Sequence, residues 1–220
     1  MPVTFPMPYA EFLGALPVKS VEFDLPEAVE MSRTAGGDLL VAAIGARLWQ
    51  GEVMLGKLNP WEAQDAQALI DLMRGAGSSF LATHTRYPYP RQDPTGSVLG
   101  ASTVQIAALD GTDARMISLK GLPVGYALSR GDMLSFTYGA TPLRYALHRV
   151  QDAQITADSS GVTPAFEVLP HIAPGAQVDA AVTLVRPHCK AIIVPESTQT
   201  GRQSRFMRDG MSFRFLQTLR

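Results

Sequence analysis

The sequence predicts a mainly β fold: a β-sandwich with one flanking helix, into which a small antiparallel barrel or sandwich is inserted. Short runs that alternate apolar and polar residues recur along the chain, as in half-buried strands. Turn-forming pairs such as Asp110-Gly111 and Gly131-Asp132 separate many of these runs. One segment alone carries the start and stop signals of a helix.

The first strands are predicted before residue 60. Residues 18–24 alternate in polarity, and residues 29–33 and 39–44 flank a Thr-Ala-Gly-Gly turn at positions 34–37. Residues 47–55 predict a further strand, in which Gly51 is interpreted as a bulge.

A helix is predicted over residues 60–74. Asn59 can cap it, Pro60 has the backbone angle preferred at the first helical position, and Glu62 completes a capping box. The apolar residues that follow at helical spacing are Ala66, Leu69, Ile70 and Met73. This stripe is expected to cover one face of the sheet, with Leu69 and Ile70 buried.

A composition change divides the chain into two predicted domains. Residues 80–82 form a last strand before a proline-rich segment, and residues 88–96 are interpreted as a linker. Residues 97–187 then form the inserted β-barrel-like domain. The strands predicted there span residues 103–109, 115–119, 133–137, 145–150, 165–168 and 181–185.

The C-terminal residues are expected to return to the first domain. Residues 191–194 and 211–216 alternate as strands, with a long polar loop predicted at 196–209 between them. The first domain therefore comprises residues 1–88 together with 190–220.

Composition excludes several classes of protein. Hydrophobic residues make up 46% of the 220 residues and the formal net charge is -1, so the chain is globular and lacks the cation excess of a nucleic-acid binder. No apolar stretch is long enough to span a bilayer, and no secretory signal is visible. The single cysteine, Cys189, excludes an internal disulfide. We expect synthesis in a cytoplasm and neither nucleic acid nor membrane as a partner.

No catalytic, cofactor or metal site is predicted. The histidines at 84, 148, 171 and 188 are not spaced like zinc ligands, and the chain has neither a G-x-S-x-G elbow nor a phosphate-binding loop. His148 is interpreted as an exposed or hydrogen-bonded strand residue and Cys189 as a core residue. The expectation is a protein that is not an enzyme.

Several motifs resemble a family of distal tail proteins from tailed bacteriophages and prophages of the siphophage type. The motifs are FDLPEAVE (23–30), GARLWQGEV (45–53), GLPVGYALSRGD (121–132), LHRV (147–150), VRPHC (185–189) and QTLR (217–220). The resemblance implies a tail-tube-like β-sandwich that forms a homo-hexameric ring. That ring would join the tail tube protein to the tail hub protein in the virion.

Other functions remain open at this stage. The chain could be another tail component, such as a tube, terminator or hub subunit. A tail-associated glycan hydrolase would need two carboxylates across a cleft, and most acids of the insert occupy turn-like positions that solvated turn chemistry explains. A glycan-binding insert would need an exposed aromatic platform, for which Tyr126, Tyr138 and Tyr145 are the candidates.

The candidate interface residues cluster in the polar loop and at the helix start. Arginine, phenylalanine and methionine are enriched where proteins meet, and the loop combines all three. Trp61, at the start of the helix, is interpreted as a core or interface anchor. The predicted interface residues are Trp61, Arg202, Arg205, Phe206, Met207 and Arg208.

Overall fold

The computed structural model describes residues 3–220 and is mainly β with one α-helix, which confirms the predicted fold class. All pairings between its strands are antiparallel. Antiparallel strands can be joined by short turns, which suits the short strands of this chain.

Sixteen strands follow a short N-terminal 3-10 helix at Tyr9–Glu11. The first elements are β1 (Val18–Val21), β2 (Val29–Arg33), β3 (Leu39–Ala43), β4 (Gln50–Leu55), α1 (Pro60–Met73) and β5 (Phe80–Thr83). The middle elements are β6 (Gln105–Leu109), β7 (Met116–Lys120), β8 (Ala127–Ser129), β9 (Met133–Tyr138), β10 (Arg144–Val150), β11 (Gln154–Thr156), β12 (Phe166–Leu169) and β13 (Val182–Thr183). The last are β14 (His188–Ile193), β15 (Gln199–Gln203) and β16 (Arg208–Gln217).

Two six-stranded sheets organise most of these strands. The first sheet has the order β1-β4-β16-β14-β5, with β15 paired to β16, and the second has the order β13-β9-β10-β12-β7-β6. The first sheet therefore joins strands from both ends of the chain, while the second uses only the middle. Strand β14 starts at His188, two residues ahead of the boundary placed at 190.

The helix begins as the sequence predicts. The Asn59 side chain accepts hydrogen bonds from the backbone N–H groups of Trp61 and Glu62, and the Glu62 carboxylate accepts one from the N–H of Asn59. Ile70 is fully buried, but Leu69 lies at the margin and is only partly buried. The prediction that both are buried is therefore correct for Ile70 and wrong for Leu69.

Gly51 allows a close approach of backbone and does not form a bulge. It pairs in register with Phe215, and a Cβ atom at this position would lie 1.9 Å from the carbonyl oxygen of Glu22 and 2.7 Å from the Phe215 ring. The irregular register in this sheet lies between Val18 and Ser20 of β1. Only glycine fits here without moving β4 or β16.

Trp49 connects the two sheets. Its indole is fully buried, and the Nε1–H donates to the carbonyl oxygen of Leu147 in β10 at 2.7 Å. The Arg149 guanidinium carbon lies 4.8 Å from the Trp49 ring centroid, a cation–π distance. One side chain just ahead of β4 is thus held by two residues of the second sheet.

Gln217 reinforces the same junction. Its Oε1 accepts the backbone N–H of Trp49 at 3.1 Å, and its Nε2 donates to the carbonyl oxygen of Tyr145 at 3.2 Å. A buried amide that satisfies both of its ends fixes the strands it joins. The end of β16 and the segment ahead of β4 are therefore tied to β10.

The segment interpreted as a linker, residues 88–96, is held against the turn between β8 and β9. The buried Asp93 carboxylate accepts the N–H groups of Val98 and Leu99, at 3.2 and 2.9 Å. The N–H of Arg91 donates to Oδ1 of Asp132 at 2.8 Å. Proline prevents regular strand pairing here, and residues 88–96 form turns in place of an extended strand.

The polar loop predicted at 196–209 is a β-hairpin. Strand β15 pairs with the first half of β16, from Gln199 opposite Ser212 to Gln203 opposite Arg208. Most residues of β15 are exposed, and both of its faces are polar. The strand therefore lacks the alternation of apolar and polar residues that would predict it from the sequence. Strands β8 and β11 were also missed, each being only three residues long.

Gly51→Ala is expected to lower the free energy of unfolding by about 1–3 kcal/mol or more, since the methyl group overlaps the Glu22 carbonyl. Gly111→Ala is the matched control, because a Cβ there meets nothing within 4 Å, and it should change stability by less than about 0.5 kcal/mol. Urea unfolding of both variants measures the difference. Equal stability of the two variants would contradict the described close contact.

Candidate assembly surfaces

The apex of the β15–β16 hairpin, residues 204–207, exposes two large apolar side chains. Phe206 is 70% exposed and Met207 is 51% exposed. The turn itself is ordered by Ser204, whose N–H donates to the carbonyl oxygen of Met207 at 2.7 Å and whose Oγ accepts the Met207 N–H at 3.2 Å. We call this apex the tip.

Arginines surround the tip. The Arg205 guanidinium carbon lies 5.2 Å from the Phe206 ring centroid, so cation and ring form one unit. Arg208 donates through Nε to Oε1 of Gln203, and Arg202 lies in β15 opposite Asp209. The tip therefore presents an apolar surface within a basic rim.

Trp61 lies at the same end of the first sheet as the tip. It is 76% exposed at the start of α1, so it is not a core residue. Leu58, three residues earlier, exchanges backbone hydrogen bonds with Arg208 at 2.9 and 2.8 Å. The six predicted interface residues thus lie at one end of the sheet.

The structure has a second exposed apolar surface, which the sequence did not predict. Strands β2 and β3 pair only with each other, and all ten of their residues are exposed. The large exposed apolar residues on this β2–β3 hairpin and at its end are Val29, Met31, Leu39, Leu40, Val41 and Ile44. An apolar strand pattern indicates that a strand will be covered, but within residues 3–220 nothing covers this one.

An apolar cleft lies at the base of the β2–β3 hairpin. Its volume is about 300 Å³, and it lies between the hairpin, the second sheet and the C-terminal residues. Ala28, Ala43, Ala46 and Leu48 line the hairpin side. The residues lining the opposite side are Ala146, Leu147, His148, Leu169, Pro170, His171, Ala173, Gln217 and Leu219. Glu27 and Arg47 add charge, and the Arg47 guanidinium donates to the backbone carbonyls of Leu25 and Pro26.

His148 in this cleft wall is buried and neutral. Its Nδ1 is 2.8 Å from the carbonyl oxygen of Pro170, which can only accept, so Nδ1 carries the proton. Its ring stacks on Phe136 at 5.2 Å, and Nε2 has no hydrogen-bond partner among the described residues. Burial lowers the pKa of His148 to about 4, despite the opposing Pro170 hydrogen bond. His148 is therefore a hydrogen-bonded histidine that β10 places in the core.

Asp132 is the acid of the insert that departs most from the expected solvated turn chemistry. It is buried, and its carboxylate accepts the N–H groups of Ser129 and Arg91, both at 2.8 Å. Burial raises the pKa of Asp132, and these hydrogen bonds oppose that rise. The carboxylate holds a turn and the proline-rich segment together, which is a structural use of its oxygens.

The tyrosines proposed as a glycan platform do not form one. Tyr126 and Tyr138 are buried in the second core, where burial raises the pKa of both hydroxyls. Tyr145 is partly buried, with its ring centroid 5.9 Å from that of His188. An aromatic surface for stacking sugars is therefore absent at these three positions.

Cys189 lies in the core of the first sheet, where burial raises the pKa of its thiol. A thiol in this state is a poor nucleophile. No group of three or more histidine, cysteine or acidic side chains suited to a metal ion is found within residues 3–220. None of the helices described there is long and apolar enough to cross a membrane.

Comparison with known proteins does not assign the chain to a family. No model of a known protein family matches it, and no curated protein matches it.

The buried neutral His148 predicts a pH-dependent stability. Because its pKa is lower in the folded chain than its ordinary value of 6.5, its stabilising contribution is complete above pH 6.5 and is lost as the pH falls toward 4. His148→Asn, which keeps a side-chain donor but does not titrate, should lose less stability over this range. The expected difference is up to about 3 kcal/mol, measured by urea unfolding of both proteins at a series of pH values. Parallel pH profiles for the two proteins would show that His148 is not a buried neutral base.

Proposed function

We propose that this chain is a structural subunit of a phage-type tail: a distal tail protein whose copies form a ring between the tail tube and the tail-tip hub. The observation that supports the proposal most directly is the exposed apolar surface of the β2–β3 hairpin and the tip. Contiguous exposed apolar surface on a folded protein commonly marks a site of protein–protein interaction.

The β2–β3 hairpin favours assembly for a second reason. An isolated two-stranded hairpin is marginally stable in water, because it buries little apolar surface. This hairpin has no third strand and no covering layer among the described residues. Contact with another subunit would bury its aliphatic side chains, each contributing free energy in proportion to the apolar area removed from water.

The sequence motifs favour the tail over other assemblies. Two of the motifs that resemble distal tail proteins, GARLWQGEV at 45–53 and LHRV at 147–150, contain Trp49, Leu147 and Arg149 of the junction between the sheets. Residues that hold two sheets in a fixed relative position are expected in a structural protein. In this proposal the partners are other copies of the chain, the tail tube protein and the tail hub protein. The protein is made in the host bacterial cytoplasm, resides in the virion tail and catalyses no reaction.

Native mass spectrometry of the purified full-length protein tests the ring directly. At micromolar concentration and moderate ionic strength, we expect a species of six times the monomer mass, because the proposed contacts bury apolar surface that the monomer exposes. Negative-stain electron microscopy of the same sample should show closed six-fold rings. A protein that stays monomeric up to the highest soluble concentration, or forms only a two-fold dimer, would contradict the proposal.

A further inference from the structure

We infer that the tip of one copy inserts into the apolar cleft of the next, with Phe206 filling the cleft and Arg205 binding Glu27 at its rim. This inference rests on the proposed function in one respect, namely that the chain assembles with itself. It adds the two surfaces that meet and the direction of the contact.

The two surfaces cannot meet within one molecule. The tip immediately precedes β16, which begins at Arg208, and the cleft is lined by Gln217, where β16 ends. A ten-residue strand separates its ends by roughly 30 Å at about 3.3 Å per residue. The tip therefore requires a cleft on another copy of the chain.

The shapes and polarities of the two surfaces match. The tip projects one exposed phenylalanine, and the cleft is a concave space of about 300 Å³ lined largely by alanine, leucine and proline side chains. That volume is at the lower end of those found for ligand pockets, and a single aromatic side chain suits it. An aromatic residue buried in a partner's apolar pocket commonly dominates the free energy of an interface.

Charge sets the orientation of the contact. The tip carries Arg205 over the Phe206 ring, and the cleft lining includes Glu27. Neither side chain takes part in an ion pair among the described residues. Arg47 and His171 also line the cleft, but the Arg47 guanidinium is directed to backbone carbonyls. Glu27 is thus the carboxylate available to the incoming arginine.

The resulting contact is heterologous, because each copy contributes a tip to one neighbour and a cleft to the other. Contacts of this type close into rings when the rotation per subunit divides a full turn, and otherwise extend as filaments. A closed ring is the outcome that the proposed function requires. Every tip and every cleft is then occupied, so the apolar side chains of these two surfaces are buried in the assembly.

Variants of the full-length chain test the contact through the concentration at which it assembles. Phe206→Ala should raise the dissociation constant by about tenfold or more. Tyr87→Ala is the matched control, since Tyr87 is also a largely exposed ring but lies outside both surfaces, and it should assemble like the wild type. Ala46→Trp places a large side chain at the exposed edge of the cleft and should weaken assembly as Phe206→Ala does. At concentrations at which all proteins are monomeric, the three variants should retain the wild-type melting temperature.

A charge exchange tests the orientation. Arg205→Glu and Glu27→Arg should each weaken assembly, and the double variant should restore it in part. Normal assembly by both Phe206→Ala and Ala46→Trp would overturn the inference.

A photoreactive benzoylphenylalanine at position 206 locates the partner surface. We expect cross-links to cleft residues, near Ala46 and His171, on a different copy, as shown by mixing isotopically labelled and unlabelled chains. Six-fold rings with cross-links elsewhere would refute this contact and leave the proposed ring intact. Cross-links to the cleft in open filaments would support the contact and refute the closed ring. A wild-type chain that neither assembles nor cross-links would refute both.

Discussion

The junction formed by Trp49 and Gln217 is the interaction on which the rest of the structure depends. Gln217 accepts from the backbone of Trp49 and donates to the backbone of Tyr145, while the Trp49 indole donates to Leu147. The chain leaves the first sheet after β5 and returns only at β14, so its ends must be held together by contacts and not by connectivity. These hydrogen bonds lie in the interior, where an unsatisfied partner costs about 1–3 kcal/mol, so the set is strongly favoured as a whole.

The junction also explains why the two candidate surfaces lie where they do. It fixes the end of β16 beside β10, and the cleft forms there, between the second sheet and the base of the β2–β3 hairpin. From this point β16 runs through the first sheet, between β4 and β14 at its C-terminal end and beside β15 toward the tip at its other end. Because β16 is paired with other strands on both sides, its two ends are held at a fixed separation. The distance from tip to cleft is thus set by the fold and not by a flexible loop.

The sequence predicts those elements of the fold that depend on the side chains of adjacent residues. The Asn59-Pro60-Trp61-Glu62 run predicts the helix start because capping depends on those side chains alone, and the alternating residues after position 210 predict the end of β16. It fails where the outcome depends on distant neighbours. Residues 196–209 are predicted as a loop because β15, which lies within them, is polar throughout. The Gly51 contact depends on Glu22 and Phe215, which no local pattern places together. The buried Phe12 and Leu13 of the N-terminal segment, which pack in the first core, carry no strand or helix periodicity.

The candidate surfaces, too, could be predicted from the sequence only where local residue types identify them. Residue types alone selected Phe206, Met207 and the neighbouring arginines, because such residues in a polar segment are unusual in any fold. The cleft could not be predicted, since it brings together segments near residues 28, 46, 147, 170 and 217. The exposure of the β2–β3 hairpin could not be predicted either, because an apolar run such as β3 indicates a strand to be covered without indicating which molecule covers it.

The central claim is that the chain is a tail subunit, and immunogold electron microscopy tests it most directly. Antibodies raised against the purified chain would be applied to tailed particles produced by the bacterium that encodes it. The account predicts gold at the end of the tail tube farthest from the head, on most particles. Gold distributed along the tube or at the head–tail joint would identify a different tail component. Intact particles without gold, with the antigen only in the soluble lysate, would contradict the claim.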